Sequence, residues 1–587
     1  MRTHTCGDLR AEDEGRRVTL CGWLENFRHH GGVAFADIRD RYGRTQLALP
    51  AGSPSCITLS TCPAESVIRV TGAVRLRPEK DVNPDLATGE VEVVPQQVEV
   101  LNPAAALPFD PKDAAEVGTV PRLKHRYLEM RHPPLRDTLV FRHRMMRAVR
   151  DFLDARDFVE VETPLLTRST PEGARDYIVP SRVHTGRFYS LPQSPQLFKQ
   201  MLMVGGVDRY YQIARCLRDE DLRADRQPEF TQLDLEMSFA DEAAVMELTE
   251  ELFAEVFEKL LQVRLKRPFE RLSVEEALRR YGTDTPDLRI PLEVLDVDDL
   301  ARASGFGVFH KALDSGGAVR ALCVPGALTR KTQEALAEKA VEFGAAGLVW
   351  LRLDSQNASG PLAKFLDAET LQEFRRRSSS LPATWLFVAS DAETASRVLG
   401  RLRRHAAEAA GMQRPGETDF RFAWIVDWPM FERNDEGRLV TLHHPFTQPL
   451  PEHLDAVEED PLSVRARSYD IVLNGWELGG GSVRNHKEDV QMRVLKALGF
   501  DEETARSRFG FLLDALKFGA PPHAGIAVGL DRVCALMLGF DSIRDVIAFP
   551  KTTSAICPLT MSPAHVEPEQ LAELHILVEE QEASEDS

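Results

Sequence analysis

The chain is 587 residues long, 43% hydrophobic and 28% charged, with a formal net charge of −19 at pH 7. That length exceeds what one hydrophobic core serves, so several globular domains are expected. No apolar run approaches a membrane span and the first residues, MRTHTCGDLR, lack a signal-peptide core, which points to a cytoplasmic protein with no membrane partner.

Eight cysteines, at 6, 21, 56, 62, 216, 323, 534 and 557, form no CxxC pair, so reduced thiols are expected and a zinc site is not. The acidic balance does not exclude RNA, because local basic patches decide that contact. Much of the excess sits in the tail Glu579–Ser587, where disorder is expected.

Residues 1 to about 104 hold short alternating runs: 18–27, 33–39, 44–50, 67–77 and 90–101, separated by turns such as Tyr42-Gly43 and Thr88-Gly89. Evenly spaced strands in that length suggest a five-stranded OB barrel, a fold that binds oligonucleotides on one face. Phe35 shares a face with Asp37, near Arg28 and Gln46; periodicity alone makes it a core residue. A Pro/Ala-rich connector follows (102–111). Met145, Met146, Val149, Phe152 and Leu153 then recur at helical spacing.

The polar string 169–177 (STPEGARDY) reads as a surface loop. LPQSPQLFK (191–199) opens a helix with Ser194 and Pro195 at its start, and Gln196 and Lys199 share one face of it. Arg209–Leu217 and Phe230–Glu236 read as two strands around a long charged loop. Arg218 and Glu220 are expected on one side of the first strand, able to hold an anion beside an amino group. Phe230 can offer a ring to a planar base, and the tip residues Arg223 and Arg226 can reach a polyanion.

From 285 to 418 strands and helices alternate without a catalytic motif: a helix at 329–343 capped at Gly344, a strand at 347–353, a helix at 366–376 and a strand at 385–390. This predicts an inserted α/β module. Beyond it, Asp470 and Glu477 bracket an apolar strand, a pair of carboxylates suited to share Mg²⁺ with phosphate oxygens. The run Gly479-Gly480-Gly481 lets backbone approach a ligand, and Arg484 can pair bidentately with a carboxylate.

Arg218-x-Glu220, its loop and Phe230 resemble the second signature motif of class II aminoacyl-tRNA synthetases. Phe152–Pro164 resembles the first motif, which in that class supplies much of the dimer contact, and Gly525–Arg532 with its following helix resembles the third. From the barrel to about residue 560 the likeness is to the bacterial aspartyl branch of subclass b. It implies a multidomain α+β chain: an OB-fold anticodon-binding domain (1–104), a hinge (105–135), an antiparallel catalytic sheet in two parts (136–284 and 419–557), a GAD-type insertion (285–418) and a C-terminal extension (558–587).

The resemblance also implies roles. Arg218 holds the ATP α-phosphate and Glu220 the adenine amino group. Phe230 and Arg532 sandwich the base, with Arg532 also near the γ-phosphate; Asp219, Gln227, Gly529, Leu530 and Asp531 complete the ATP site. Asp470 and Glu477 hold Mg²⁺. Glu172, Ser194, Gln196, Lys199, Arg218, Asp234, His443, His444 and Arg484 enclose aspartate. Arg28, His30, Phe35, Gln46 and Asp81 meet the anticodon.

The implied activity is ATP-dependent charging of tRNA-Asp by a homodimer. His30 stands where discriminating enzymes carry Leu, which extends the reading to tRNA-Asn, although the loop Pro78–Asn83 lacks the small residue that usually accompanies it. The alternatives are an asparaginyl or lysyl enzyme of the same subclass and a non-catalytic RNA-binding paralogue.

Overall fold

The computed structural model describes residues 1–30, 32–169, 174–412, 416 and 418–579. The acidic stretch 580–587 and Glu172 lie outside the described residues. The chain forms two compact units, one of Met1–Phe141 with Ala548–Thr552 and Ile556–Ala564, the other of Arg142–Ile547 with Thr553–Ala555 and His565–Ser587. Among the described residues no helix is long and apolar enough to cross a membrane.

In the first unit, β1 (Arg17–His30), β2 (Val33–Arg39), β3 (Arg44–Pro50), β4 (Val67–Leu76) and β5 (Val91–Asn102) close a barrel in the order β1-β2-β3-β5-β4. Alternation sends Val18, Leu20, Leu24, Ala36, Ile38, Leu47 and Val70 inward, where they form one core. β1 slips register between Leu24 and Asn26. This bulge puts Asn26 opposite Asp37 and Arg28 opposite Phe35, so all four share the outer face.

In the second unit, α1 (Leu135–Asp154, which begins in the first) buries Met145, Ala148, Val149, Phe152 and Leu153, while Met146 is only half-buried. An eight-stranded sheet follows from β6 (Val159–Glu160), β7 (Arg209–Leu217), β8 (Glu229–Ser238), β9 (Glu270–Ser273), β10 (Phe422–Val426), β11 (Ser468–Leu473), β12 (Trp476–Val483) and β13 (His523–Gly529). Its order is β9-β10-β11-β12-β13-β8-β7-β6. The two edge pairs, β6–β7 and β9–β10, are parallel and the rest antiparallel.

The insertion has its own five-stranded sheet, Val294–Asp296, Ala318–Pro325, Ala383–Ser390, Val349–Leu353 and Ala358–Ser359 in spatial order. Strand–helix alternation suggests parallel crossovers, but every pair is antiparallel. The helix Arg330–Glu342 starts at its Thr329 cap and is followed by Gly344 at φ 108°.

The stretch 468–484 is a hairpin, where the sequence reading had one strand bracketed by carboxylates. Asn474 (φ 52°) and Gly475 (φ 89°) make the two-residue turn that Asn-Gly favours. Asp470 and Glu477 therefore sit on neighbouring strands. Asp470 opposes Gly480, yet Glu477 opposes Val472, because the ladder slips between Ile471 and Val472. Two residues share a face when their separation is even; the slip restores that parity and turns Glu477 to the face of Asp470.

Candidate active site

The register of the sheet lays out the floor of the site. Asp234 on β8 opposes Ala527 on β13, which opposes Gly480 on β12, which opposes Asp470 on β11. Small residues in the middle of that row leave a hollow between two carboxylates. The next row on the same face runs Glu236, Gly525, Ser482, Ser468. Gly525 is required there: a Cβ would lie 2.0 Å from Glu236 Oε2. Above these rows is a cavity of about 550 Å³.

One end of the cavity is a buried charge cluster. Lys199, on α2 (Gln196–Val204), donates to Asp234 Oδ1 at 3.0 Å and sits 3.3 Å from Glu236 Oε2. Arg484 donates through Nε and Nη2 to the two oxygens of Glu236 at 2.9 and 3.1 Å. Its Nη1 meets Ser482 Oγ at 2.6 Å and His444 Nε2 at 2.7 Å. None of the four charged side chains is more than 2% exposed. Burial would raise the Glu236 carboxyl, but Arg484 and then Lys199 hold it below the ordinary range. Burial wins at Asp234, whose carboxyl is pushed up against the pull of Lys199. His444 is held well below the usual imidazole range by burial and by Arg484, so it meets that guanidinium as a neutral acceptor.

Asp234 Oδ2 and Gln196 Nε2 are buried there with no hydrogen-bond partner among the described residues. Unsatisfied buried polar atoms are costly, and two of them turned on one cavity mark a ligand's place. Ser194 lines it too, and its hydroxyl accepts from Gln196 N at 3.2 Å, while Pro195 holds the cap position.

The other end is lined by Arg218, Glu220, Gln227, Phe230, Asp470, Glu477, Gly529 and Arg532. Arg218 and Glu220 lie past the end of β7, in the loop, rather than on the strand. The Arg218 guanidinium stands over the Phe230 ring at 5.2 Å, with its Nε buried and unpartnered. Glu220 accepts from Arg226 at 2.9 Å. Burial and the neighbouring Asp470 push the Glu477 carboxyl up. His443 approaches Asp470 at 3.3 Å; burial would depress its imidazole, but Asp470 raises it. It thus stands at the carboxylate pair, while His444 serves Arg484.

Three expected ATP residues are otherwise engaged. Leu530 is 2% exposed at the start of α3 (Leu530–Met537) and does not line the cavity. Asp219 is drawn toward Arg175, 3.6 Å away, and also lies off the lining. Asp531 borders the cavity, but its carboxylate accepts from Thr231 N at 2.8 Å and pairs with Arg142. The reading missed Glu236 and Asp225. Period two would have found Glu236, since Gln232, Asp234 and Glu236 must share a face.

On the barrel, Arg28 donates to Asp37 at 2.9 Å, Gln46 at 2.9 Å and Asn26 at 3.0 Å, with its guanidinium 5.9 Å from the Phe35 ring. Phe35 is half-buried on this outer face rather than in the core. Gln46 continues the network to Glu92 at 2.9 Å, and Arg75 reaches Glu92 through Nε at 3.1 Å. His30 and Asp81 are exposed, at the end of β1 and in the turn Glu79–Asp81.

An antiparallel sheet floored with such charges, in a chain that also carries an OB barrel, defines a class II aminoacyl-tRNA synthetase. A family model described as tRNA synthetases class II (D, K and N) matches residues 119–553, and one described as an OB-fold nucleic acid binding domain matches 18–101. The chain is 49% identical over 580 residues to the aspartate–tRNA(Asp/Asn) ligase of Moorella thermoacetica, across 98% of this chain and 96% of that one. It is 47% identical over 584 residues to the aspartate–tRNA ligase of Geobacillus kaustophilus, across 98% and 99%. Its fold is shared with the asparaginyl-tRNA synthetase of Pyrococcus horikoshii at a TM-score of 0.59 and 18% identity, covering 96% and 99% of the two chains. The chain belongs to the class II aspartate–tRNA ligases.

Proposed function

We propose that the protein activates L-aspartate with ATP, releasing pyrophosphate, and transfers the aspartyl group to the 3′ end of tRNA-Asp and of tRNA-Asn. The observation that carries the amino-acid choice is the buried cluster. Lys199 and Arg484 present cations to a side-chain carboxylate, and the free Oδ2 of Asp234 suits an α-ammonium. Asparagine is nearly isosteric with aspartate but carries no anion, so it forgoes the attraction of two desolvated cations, which Asp234 and Glu236 pair in its absence. Lysine would bring a third cation.

The attacking group is itself a carboxylate, so activation needs no protein nucleophile or general base. Arg218, with an unpaired buried Nε, stabilises charge on the transferring phosphoryl group, and Phe230 with Arg532 holds the adenine. Glu220 takes the adenine amino group, and Gln227 and Gly529 line the same end. Gln196, Ser194, His443 and His444 border the aspartate, and Glu172 is assigned to it by resemblance.

Two carboxylates on one face, with Glu477 raised by burial and by Asp470, fit a divalent cation that relieves their repulsion. Among the described residues no group of three or more His, Cys, Asp and Glu side chains is arranged to hold a metal. Asp470 and Glu477 would hold Mg²⁺ together with the triphosphate; when bound, it supplies positive charge beside the reacting phosphate. Transfer to the ribose hydroxyl then depends mainly on positioning.

Arg28, Phe35, Gln46, His30 and Asp81 meet the anticodon. The Asp and Asn anticodons differ in their third base, C against U, and an imidazole at position 30 can donate to or accept from either. The name of the Moorella relative, which includes both tRNAs, supports the wider reading. The active form is a homodimer, a reading supported by Val159, Leu165 and Leu166, each at least 50% exposed in and just after the first motif, and its compartment is the cytoplasm.

Pyrophosphate exchange and aminoacylation with purified tRNA-Asp and tRNA-Asn test the whole. Arg484→Leu is expected to raise the aspartate KM ~100-fold, the order of one lost charge-assisted hydrogen bond at about 1.5–3 kcal/mol, and to erode rejection of asparagine. Unchanged aspartate kinetics would remove Arg484 from the pocket.

A further inference from the structure

Arg532 is gripped by its edge. Its Nη2 donates to Asp225 Oδ2 at 3.1 Å, its Nε to the Asp225 carbonyl oxygen at 3.4 Å and its Nη1 to the Glu477 carbonyl oxygen at 2.6 Å. Guanidinium N–H bonds lie in the plane of the group, so these contacts fix that plane and use donors from each of its three nitrogens. What Arg532 offers the cavity is a face.

The grip is itself anchored. Asp225 belongs to the loop between β7 and β8, and the carbonyl oxygen of its neighbour Ala224 accepts from Ile543 N and from Ser542 Oγ, both at 3.1 Å. Asp225 is therefore held at both ends, by Arg532 through its side chain and by the 542–543 turn through its neighbour. Nothing in the loop's composition singles it out from Asp219 or Asp221.

We infer that Asp225 is a positioning residue for the nucleotide: it sets Arg532 as a flat plate for the purine ring, and the three hydrogen bonds leave one N–H on each Nη free for a phosphate. The inference rests on the reading that adenine lies between Phe230 and Arg532.

AMP separates the two roles, because it keeps the base and loses the outer phosphates. Equilibrium binding of AMP and of ATP to the full-length protein is measured beside the KM values of exchange. Asp225→Ala is expected to weaken AMP ~10-fold, for a lost charge-assisted hydrogen bond, and ATP at least as much, and to leave the aspartate KM unchanged. Asp225→Asn keeps an acceptor oxygen and falls between Ala and the wild type.

A loss confined to ATP assigns Arg532 to the phosphates and overturns the inference. So does tighter ATP binding, which would make Asp225 a competitor for the phosphate, and so does an aspartate KM that rises in step with that of ATP. A wild type that binds neither AMP nor ATP overturns the nucleotide reading itself, and the inference falls with it.

Discussion

Glu65 takes part in no reaction, yet it shows how much one buried carboxylate can carry. It is 7% exposed, at φ 66°, and pairs with Arg39, with Arg131 at 3.0 Å and with His132 at 3.9 Å. Burial would raise its carboxyl, but the neighbouring His132 and hydrogen bonds from Arg39 and Arg131 hold it at about 2 against 4.5 for the free group. The folded state thus prefers the ionised form. That preference contributes fully above pH 4.5 and is lost as pH falls toward 2, for roughly 3 kcal/mol in all. Glu65→Gln should therefore destabilise the barrel at pH 7 and make little difference near pH 2. Urea unfolding read by pulsed hydrogen exchange over residues 17–102, at both pH values, checks this; an equal gap at both would mean that charge is not the source.

Among the elements, the β11–β12 hairpin carries the tightest constraints. A Cβ on Gly479 would lie 1.9 Å from the Ala527 carbonyl oxygen and one on Gly481 2.3 Å from that of Gly525, so these two glycines serve a neighbouring strand. All three border the cavity, but at Gly480 a Cβ would meet a site carboxylate, 2.3 Å from Asp470 Oδ1. Gly480→Ala is expected to push that carboxylate aside and raise the Mg²⁺ concentration for half-maximal exchange ~10-fold or more. An unmoved Mg²⁺ curve would take Asp470 off the metal. The glycine run was legible in the sequence; its reason was not, because a close approach between strands is a property of the register. The same limit hid Gln46 with Glu92, which meet across strands from distant parts of the chain, and the slip that turns Glu477. What composition and period do carry is local: the five barrel strands, the face shared by Gln196 and Lys199, and the two strands around the charged loop. Asp225 left no local trace, since its meaning lies in Arg532, 307 residues away.

For the molecule as a whole, two units divide two kinds of contact, and kinetics can separate them. Phe35→Ala should raise the tRNA KM by ~10–100-fold, as expected for one lost base stack, while aspartate-dependent exchange stays at the wild-type rate. His30→Leu should leave tRNA-Asp charging intact and lower the relative rate with tRNA-Asn; an unchanged ratio would return His30 to the role of a solvated loop residue. The order of the catalytic sheet has a consequence in time. β8 pairs on one side with β7, its neighbour in the chain, and on the other with β13, where Ser238 meets His523. At ~5–20 residues per second of synthesis, those 285 residues take roughly 15–60 s to make. For most of that interval Lys199, Asp234 and Glu236 exist without Arg484, and through all of it one edge of β8 has no strand to meet. The insertion, with a sheet and two apolar clusters of its own, is made within the same interval. On the ribosome, the binding floor cannot close until β13 has been made, long after its first residues.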